Sequence, residues 1–302
     1  MIKIKRSVFK KSQKFSGVEF NTFDTEDCHL DFKHFVFSGG EVSVKLNDNH
    51  KFFDPSVNSD ILITAKITSS EEFMKLAMIK DAIERRIEVP TKINLFCPYF
   101  PNARQDRIMV TGEAFTLKVF ANMVNSLKFN KVIIVDPHSN VTPALIDNVK
   151  VITQCQVIQK WKELTFRLQQ CSLVAPDGGA VKKTEEIAAY LNQDYVRADK
   201  KRDLNDGKIL ETIVYCDNFN GRDAAICDDI AENSGTFILL AKVLKTRNCG
   251  RIVLYATHGL FPKGVDYIFE AGISEIWTTN SFRSSFPEDS RLKILDIDKL
   301  CE

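Results

Sequence analysis

The sequence predicts an α/β protein of two tandem domains with parallel sheets. Three observations carry this: short apolar runs rich in β-branched residues recur, helical patterns separate many of them, and one helix–turn–strand segment occurs twice. Strands that are apolar throughout, rather than alternating, belong to parallel sheets covered on both faces. The 302 residues suffice for two domains of ordinary size, each with its own core.

The first 36 residues show no helical period and read as strands and turns. Strand patterns follow at Ile61–Ile67, Ile93–Phe100 and Lys131–Asp136, then at Ser172–Pro176, Asp194–Arg197, Ala224–Cys227, Arg251–Thr257, Glu275–Thr279 and Leu292–Ile297. Helical patterns cover Ser70–Ile87, which opens on a candidate capping box at Ser69–Glu72, and Thr111–Leu127, Val181–Leu191, Thr236–Thr246 and Val265–Ala271. Phe115–His138 and Phe237–His258 are each a helix, a short polar turn and a strand ending at His, which suggests one duplicated domain. The expected domains are 1–145 and 146–302, with a last strand within 291–302 able to pack back on the first domain.

A formal net charge of +1 recommends neither a nucleic-acid nor a membrane surface. No apolar run approaches the ~18 residues of a membrane span. The basic start, Met1–Arg6, lacks the apolar core of a signal peptide. The eight cysteines form no CxxC pair and several lie inside apolar runs, so they read as reduced thiols of a cytoplasmic protein.

Five polar constellations stand at the ends of the predicted strands, where ligands bind open parallel sheets. Asp228 and Asp229 close an apolar run; such carboxylates hold either sugar hydroxyls or a metal. The loop Glu232, Asn233, Ser234, Gly235 and Thr236 offers hydroxyls, a glycine and the amides of a helix start, which suit a phosphate monoester or simply cap a helix. In Pro98–Arg107, Arg104 and Arg107 could neutralise polyphosphate, and Gln105 or Asp106 could bond a base or ribose; the alternative is a solvated loop. His138 ends one strand, and Asp177 ends another before two glycines that allow close approach of an anion. Asp199–Asp203 is a charge run, usually a solvated face, which leads into an Asp203–Lys208 stretch expected to move.

Together, Pro98–Arg107, Cys227–Thr236 and Ala256–Phe261 resemble the phosphoribosyl pyrophosphate synthetase (ribose-phosphate pyrophosphokinase) family, from about Phe37 to Phe282. The resemblance implies two domains of type I phosphoribosyltransferase fold, in a homo-oligomer (dimer or hexamer). It implies transfer of the β,γ-diphosphoryl group of ATP, with Mg2+, to ribose 5-phosphate. By position it assigns Phe37, Glu41, Arg104, Gln105, Asp106 and His138 to ATP, and His138 and Asp177 to the metal. Lys200 and Arg202 match its catalytic positions, and Asp228, Asp229 and residues 232–236 its ribose 5-phosphate site.

The chain departs from the family pattern at several points. Gly39 stands where an aspartate accepts a bond from the adenine amino group, Glu232 and Asn233 replace an Asp-Thr pair, and Ala180 replaces a glycine. Ile108, Met109 and Val110 occupy a loop usually rich in basic residues, so ADP is expected to compete only with ATP. Two alternatives stand beside the synthetase: a phosphoribosyltransferase that consumes phosphoribosyl pyrophosphate, and a catalytically silent regulatory subunit. Arg104–Arg107 and His138 favour the synthetase over the first, and retention of Lys200, Arg202, His138 and Asp177 argues against the second.

Overall fold

The computed structural model describes residues 1–9, 25–55, 57, 59–202, 209–232 and 235–301; side chains at 7–9, 25–27, 201–202, 209–210 and 301 are outside the description. The chain divides into two compact units, Met1–Val151 and Ile152–Glu302.

The first unit runs β1 (Ile2–Phe9), β2 (Thr25–His29), β3 (Phe32–Val36), β4 (Val42–Leu46), α1 (His50–Phe53), β5 (Ile61–Ala65), α2 (Ser70–Glu84), β6 (Ile93–Cys97), α3 (Thr116–Ser126), β7 (Lys131–Val135), α4 (Val141–Leu145) and β8 (Val149–Ile152). Its main sheet has the order β2-β1-β5-β6-β7-β8, with β5, β6 and β7 parallel and β1 antiparallel to both of its neighbours. β3 and β4 form a separate antiparallel hairpin. β5 and β6 are buried almost throughout because helices cover both faces, which explains their unbroken apolar sequence. Only half of the expected capping box forms. Ser69 Oγ accepts from the Glu72 N–H at 3.2 Å, whereas the Glu72 carboxylate turns to Lys75 and the terminal amine.

The second unit runs α5 (Gln154–Lys160), α6 (Lys162–Gln169), β9 (Cys171–Ala175), α7 (Val181–Leu191), β10 (Tyr195–Arg202), β11 (Ile209–Val214), β12 (Asp223–Ala231), α8 (Gly235–Thr246), β13 (Ile252–Gly259), α9 (Asp266–Glu270), β14 (Glu275–Thr279) and β15 (Leu292–Leu295), then a 3-10 turn at Ile297–Cys301. The sheet order is β11-β10-β9-β12-β13-β14-β15, parallel except for β11. The segments β6-α3-β7-α4-β8 and β12-α8-β13-α9-β14 follow the same order of elements, as the repeated sequence suggests.

β15 pairs in parallel with β14 and closes the second sheet, burying Leu292 and Leu295. Two expectations are corrected. The charge run from Asp199 is largely strand: β10 continues to Arg202 and pairs with β11. The helix expected from Thr111 begins at Thr116, after a turn in which Glu113 binds the backbone amides of Met109 and Val110.

Candidate active site

In the second unit, β9 ends beside Asp177. One carboxylate oxygen of Asp177 accepts from the backbone N–H groups of Gly179 and Ala180 at 2.9 and 3.1 Å, which fixes the turn into α7. The other meets the Lys200 ammonium. Lys200 lies on β10, the strand next to β9, and its ammonium also donates to Thr236 Oγ1 at 3.3 Å in the first turn of α8. Residues assigned to metal, catalysis and phosphate therefore converge on one cation.

Asp228 and Asp229 lie within β12, which extends to Ala231. The two carboxylates have different surroundings. Asp229 is buried; it meets Lys183 of α7 at 3.4 Å and accepts from the Ile230 N–H at 2.9 Å. Burial first, and then the Asp229 and Asp177 carboxylates, push Asp228 well above the usual carboxylate range. This crowding of negative charge would be relieved by sugar hydroxyls or a cation. Glu232 follows half-buried, while Asn233 and Ser234 lie outside the described residues. Gly235 opens α8, and among the described residues no atom outside its chain neighbours lies within 4 Å of the position its Cβ would take.

In the first unit, Arg104 and Gln105 are exposed on the loop after β6. Gln105 Oε1 accepts from Thr116 Oγ1 at 2.6 Å, tying that loop to the start of α3. Asp106 is different. It is buried and paired with Arg107 at 2.8 and 3.2 Å, and that pairing, with smaller contributions from Ser139 and His138, holds its carboxyl below the usual range despite burial. Asp106 thus joins the 104–107 loop to the exposed His138 turn after β7. Phe37 and Glu41 lie in the turn of the β3–β4 hairpin, both exposed, joined by a 2.8 Å bond from the Phe37 N–H to the Glu41 carbonyl. The Arg202 side chain is outside the described residues.

Sequence reasoning missed Lys183 and Gln154. Lys183 follows the Asp-Gly-Gly turn by one helical turn, a spacing that could have drawn notice. Gln154 carried no local signal, because its partners Asp228 and Thr257 are distant in sequence.

Two tandem units with parallel sheets, and polar residues gathered at the strand ends, define a protein of the type I phosphoribosyltransferase fold. The crystal structure of phosphoribosylpyrophosphate synthetase from Mycobacterium smegmatis matches with a TM-score of 0.74 and 20% identity, covering 90% of this chain and 87% of that one. Residues 25–127 match the model for the N-terminal domain of ribose phosphate pyrophosphokinase, and residues 204–302 that for the phosphoribosyl synthetase-associated domain. The ribose-phosphate pyrophosphokinase of Sulfurisphaera tokodaii is 25% identical over 89% of each chain. That of Aquifex aeolicus is 26% identical over 88% of this chain and 83% of its own. The chain belongs to the ribose-phosphate pyrophosphokinase family.

Proposed function

We propose that this chain transfers the β,γ-diphosphoryl group of ATP to O1 of ribose 5-phosphate, giving phosphoribosyl pyrophosphate and AMP. The observation that carries this reading is the Lys200 ammonium, held between Asp177 and Thr236. Attack on a β-phosphorus requires in-line positioning and charge neutralisation more than covalent help. Lys200 supplies a preorganised cation where the diphosphoryl group develops charge, and Arg202 is assigned the same task. Asp228 and Asp229 hold the ribose hydroxyls, and residues 232–236 with the α8 N-terminus hold the 5-phosphate. Phe37, Glu41, Arg104 and Gln105 bind ATP, with Asp106 and His138 completing that group.

The residues fit magnesium. Asp177 and Asp228 offer hard oxygen donors, and the raised Asp228 marks a place short of positive charge. Among the described residues no three His, Cys, Asp or Glu side chains form a cage, which suits an ion that takes one or two carboxylates, substrate phosphates and waters. Asp177 and His138 are the assigned ligands, and the bound ion neutralises phosphate charge.

A homo-oligomer, dimer or hexamer, is the expected assembly. A cytoplasmic setting is supported by the seven described cysteines, all free thiols, and burial pushes Cys97 up to about 12. No described helix is long and apolar enough to cross a membrane.

The test is incubation with ATP, Mg2+ and ribose 5-phosphate. AMP is expected; ADP would indicate an ordinary kinase, and no turnover a silent subunit.

A further inference from the structure

The strand that carries Asp228 has a gap in its ladder one residue further on. β12 and β13 pair from Ala224 with Ile252 to Asp228 with Ala256, and again at Ile230 with His258, but Asp229 and Thr257 form no bridge. On the other side of β13, the register with β14 shifts between Ala256 and His258. Thr257 is the irregular residue on both sides. Its carbonyl accepts from Thr279 Oγ1 at 2.6 Å and from Ser281 Oγ at 3.5 Å. Irregularities of this kind re-aim neighbouring side chains and recur beside active sites.

Gln154 fills the gap from outside the sheet. It is only 3% exposed, and its Nε2 donates to the Asp228 carbonyl at 2.6 Å and to Thr257 Oγ1 at 3.4 Å. Thr257 Oγ1 in turn meets the Tyr255 hydroxyl at 3.0 Å. The position of Gln154 is itself fixed. A complete capping box, with Thr153 Oγ1 accepting from the Gln156 N–H at 3.2 Å and Gln156 Oε1 from the Thr153 N–H at 2.9 Å, sets the first turn of α5. A buried amide at this position is retained at a desolvation cost unless its bonds are used.

We propose that Gln154 is a positioning residue for Asp228: its side-chain amide replaces the missing rung at the end of β12 and thereby sets the affinity of the pentose subsite. This rests on the reading of Asp228 as a ribose-binding carboxylate. Gln154 touches no substrate; it acts through the backbone of the residue that does.

Gln154→Met keeps length and volume and removes the donor. Gln154→Asn keeps the amide but falls one methylene short, and serves if the first variant does not fold. Each should raise KM for ribose 5-phosphate by about tenfold, the worth of one lost buried bond, while kcat and KM for ATP change by no more than about twofold. Amide hydrogen exchange should quicken over residues 226–231 and stay unchanged in β9. An unchanged ribose 5-phosphate KM would overturn the proposal, as would equal losses in both KM values and kcat accompanied by general loosening. A wild-type protein that makes no AMP would overturn the proposed function instead. The exchange measurement still reads the Gln154 bond in that case, and unchanged exchange at 226–231 would refute it.

Discussion

Lys200 on β10 forms an ion pair with Asp177, just past the end of the adjacent parallel strand β9, and the same ammonium donates to Thr236 at 3.3 Å. The Lys200 side chain is 11% exposed, so it is not part of a solvated charge run. Its cation is held in place before any substrate arrives. Preorganisation of this kind lets a charge act in the transition state without a reorganisation penalty.

Lys200→Ala should therefore lower kcat by ~10²–10³-fold and change KM for ATP and ribose 5-phosphate by only a few-fold. Arg202→Ala is expected to behave alike. Position 201 alternates with 200 on β10 and pairs opposite Glu211, so Lys201→Ala should be much milder. Steady-state kinetics of the three single variants decide this. A normal kcat for Lys200→Ala would sink the assignment.

What was legible in the sequence follows from what was buried. β5, β6, β9, β12 and β13 are covered on both faces, so their apolar runs could be read directly. β10 beyond Arg197 was hidden because Asp199–Arg202 pairs with an edge strand and carries charge where a core strand would not. The two short helices α5 and α6 were missed, since a segment such as Lys162–Gln169 shows only Leu164, Arg167 and Leu168 to the interior. Asp177, Asp228 and Thr236 could be singled out from strand-end position and residue type. Which of them meet Lys200, and that Asp229 is held by Lys183, depended on strand order, which local patterns do not encode.

Gly39 offers a gain-of-selectivity test. Its φ is outside the left-handed region, and a Cβ built on it meets nothing within 4 Å, so Gly39→Asp should fold normally. A restored acceptor for the adenine amino group should strengthen the preference for ATP over GTP by about 1–3 kcal/mol. Rates with both donors at subsaturating concentration measure the change. An unaltered ratio would show that position 39 does not read the base.

The loop after Arg107 bears on regulation. Ile108, Met109 and Val110 are 57%, 74% and 61% exposed and carry no cation. Two of the amides are also engaged, because Glu113 accepts from the Met109 and Val110 N–H groups at 2.9 and 3.2 Å. A carboxylate thus occupies the donors that an anion would need. ADP should inhibit competitively with ATP alone, and inorganic phosphate should give no sigmoidal response. Noncompetitive ADP inhibition would be the contrary result.

Arg167 joins two strands at the end of the second sheet remote from the proposed site. Its Nη2 meets Asp223 at the start of β12 at 2.8 Å, and its Nε meets Glu275 at the start of β14 at 3.0 Å. Arg167 is 8% exposed. Burial acts to raise both carboxyls, but for Asp223 the Arg251 N–H and Arg167, and for Glu275 Arg167 and Trp277, outweigh it, so both are depressed. Carboxyls whose folded values lie below their unfolded ones stabilise the fold above the unfolded pKa, about 4. That stability disappears as pH falls through the depressed folded values. Arg167→Met removes the better placed of two cations and leaves the carboxylates only Arg251, 3.4 Å from Asp223 and 3.7 Å from Glu275. At neutral pH this should cost about 1–3 kcal/mol, the worth of hydrogen bonds to charged groups lost while a second cation remains. Below pH ~4 the deficit should shrink, because protonation removes the charges that Arg167 neutralised. The folded variant should keep kcat, since Lys200 and Asp228 stand toward the C-terminal ends of β10 and β12 and Asp177 just past the end of β9. Urea unfolding of wild type and variant at neutral and acid pH, with kcat measured on the folded fraction, tests this. An equal deficit at both pH values, or lost turnover in folded protein, would show that Arg167 works in some other way.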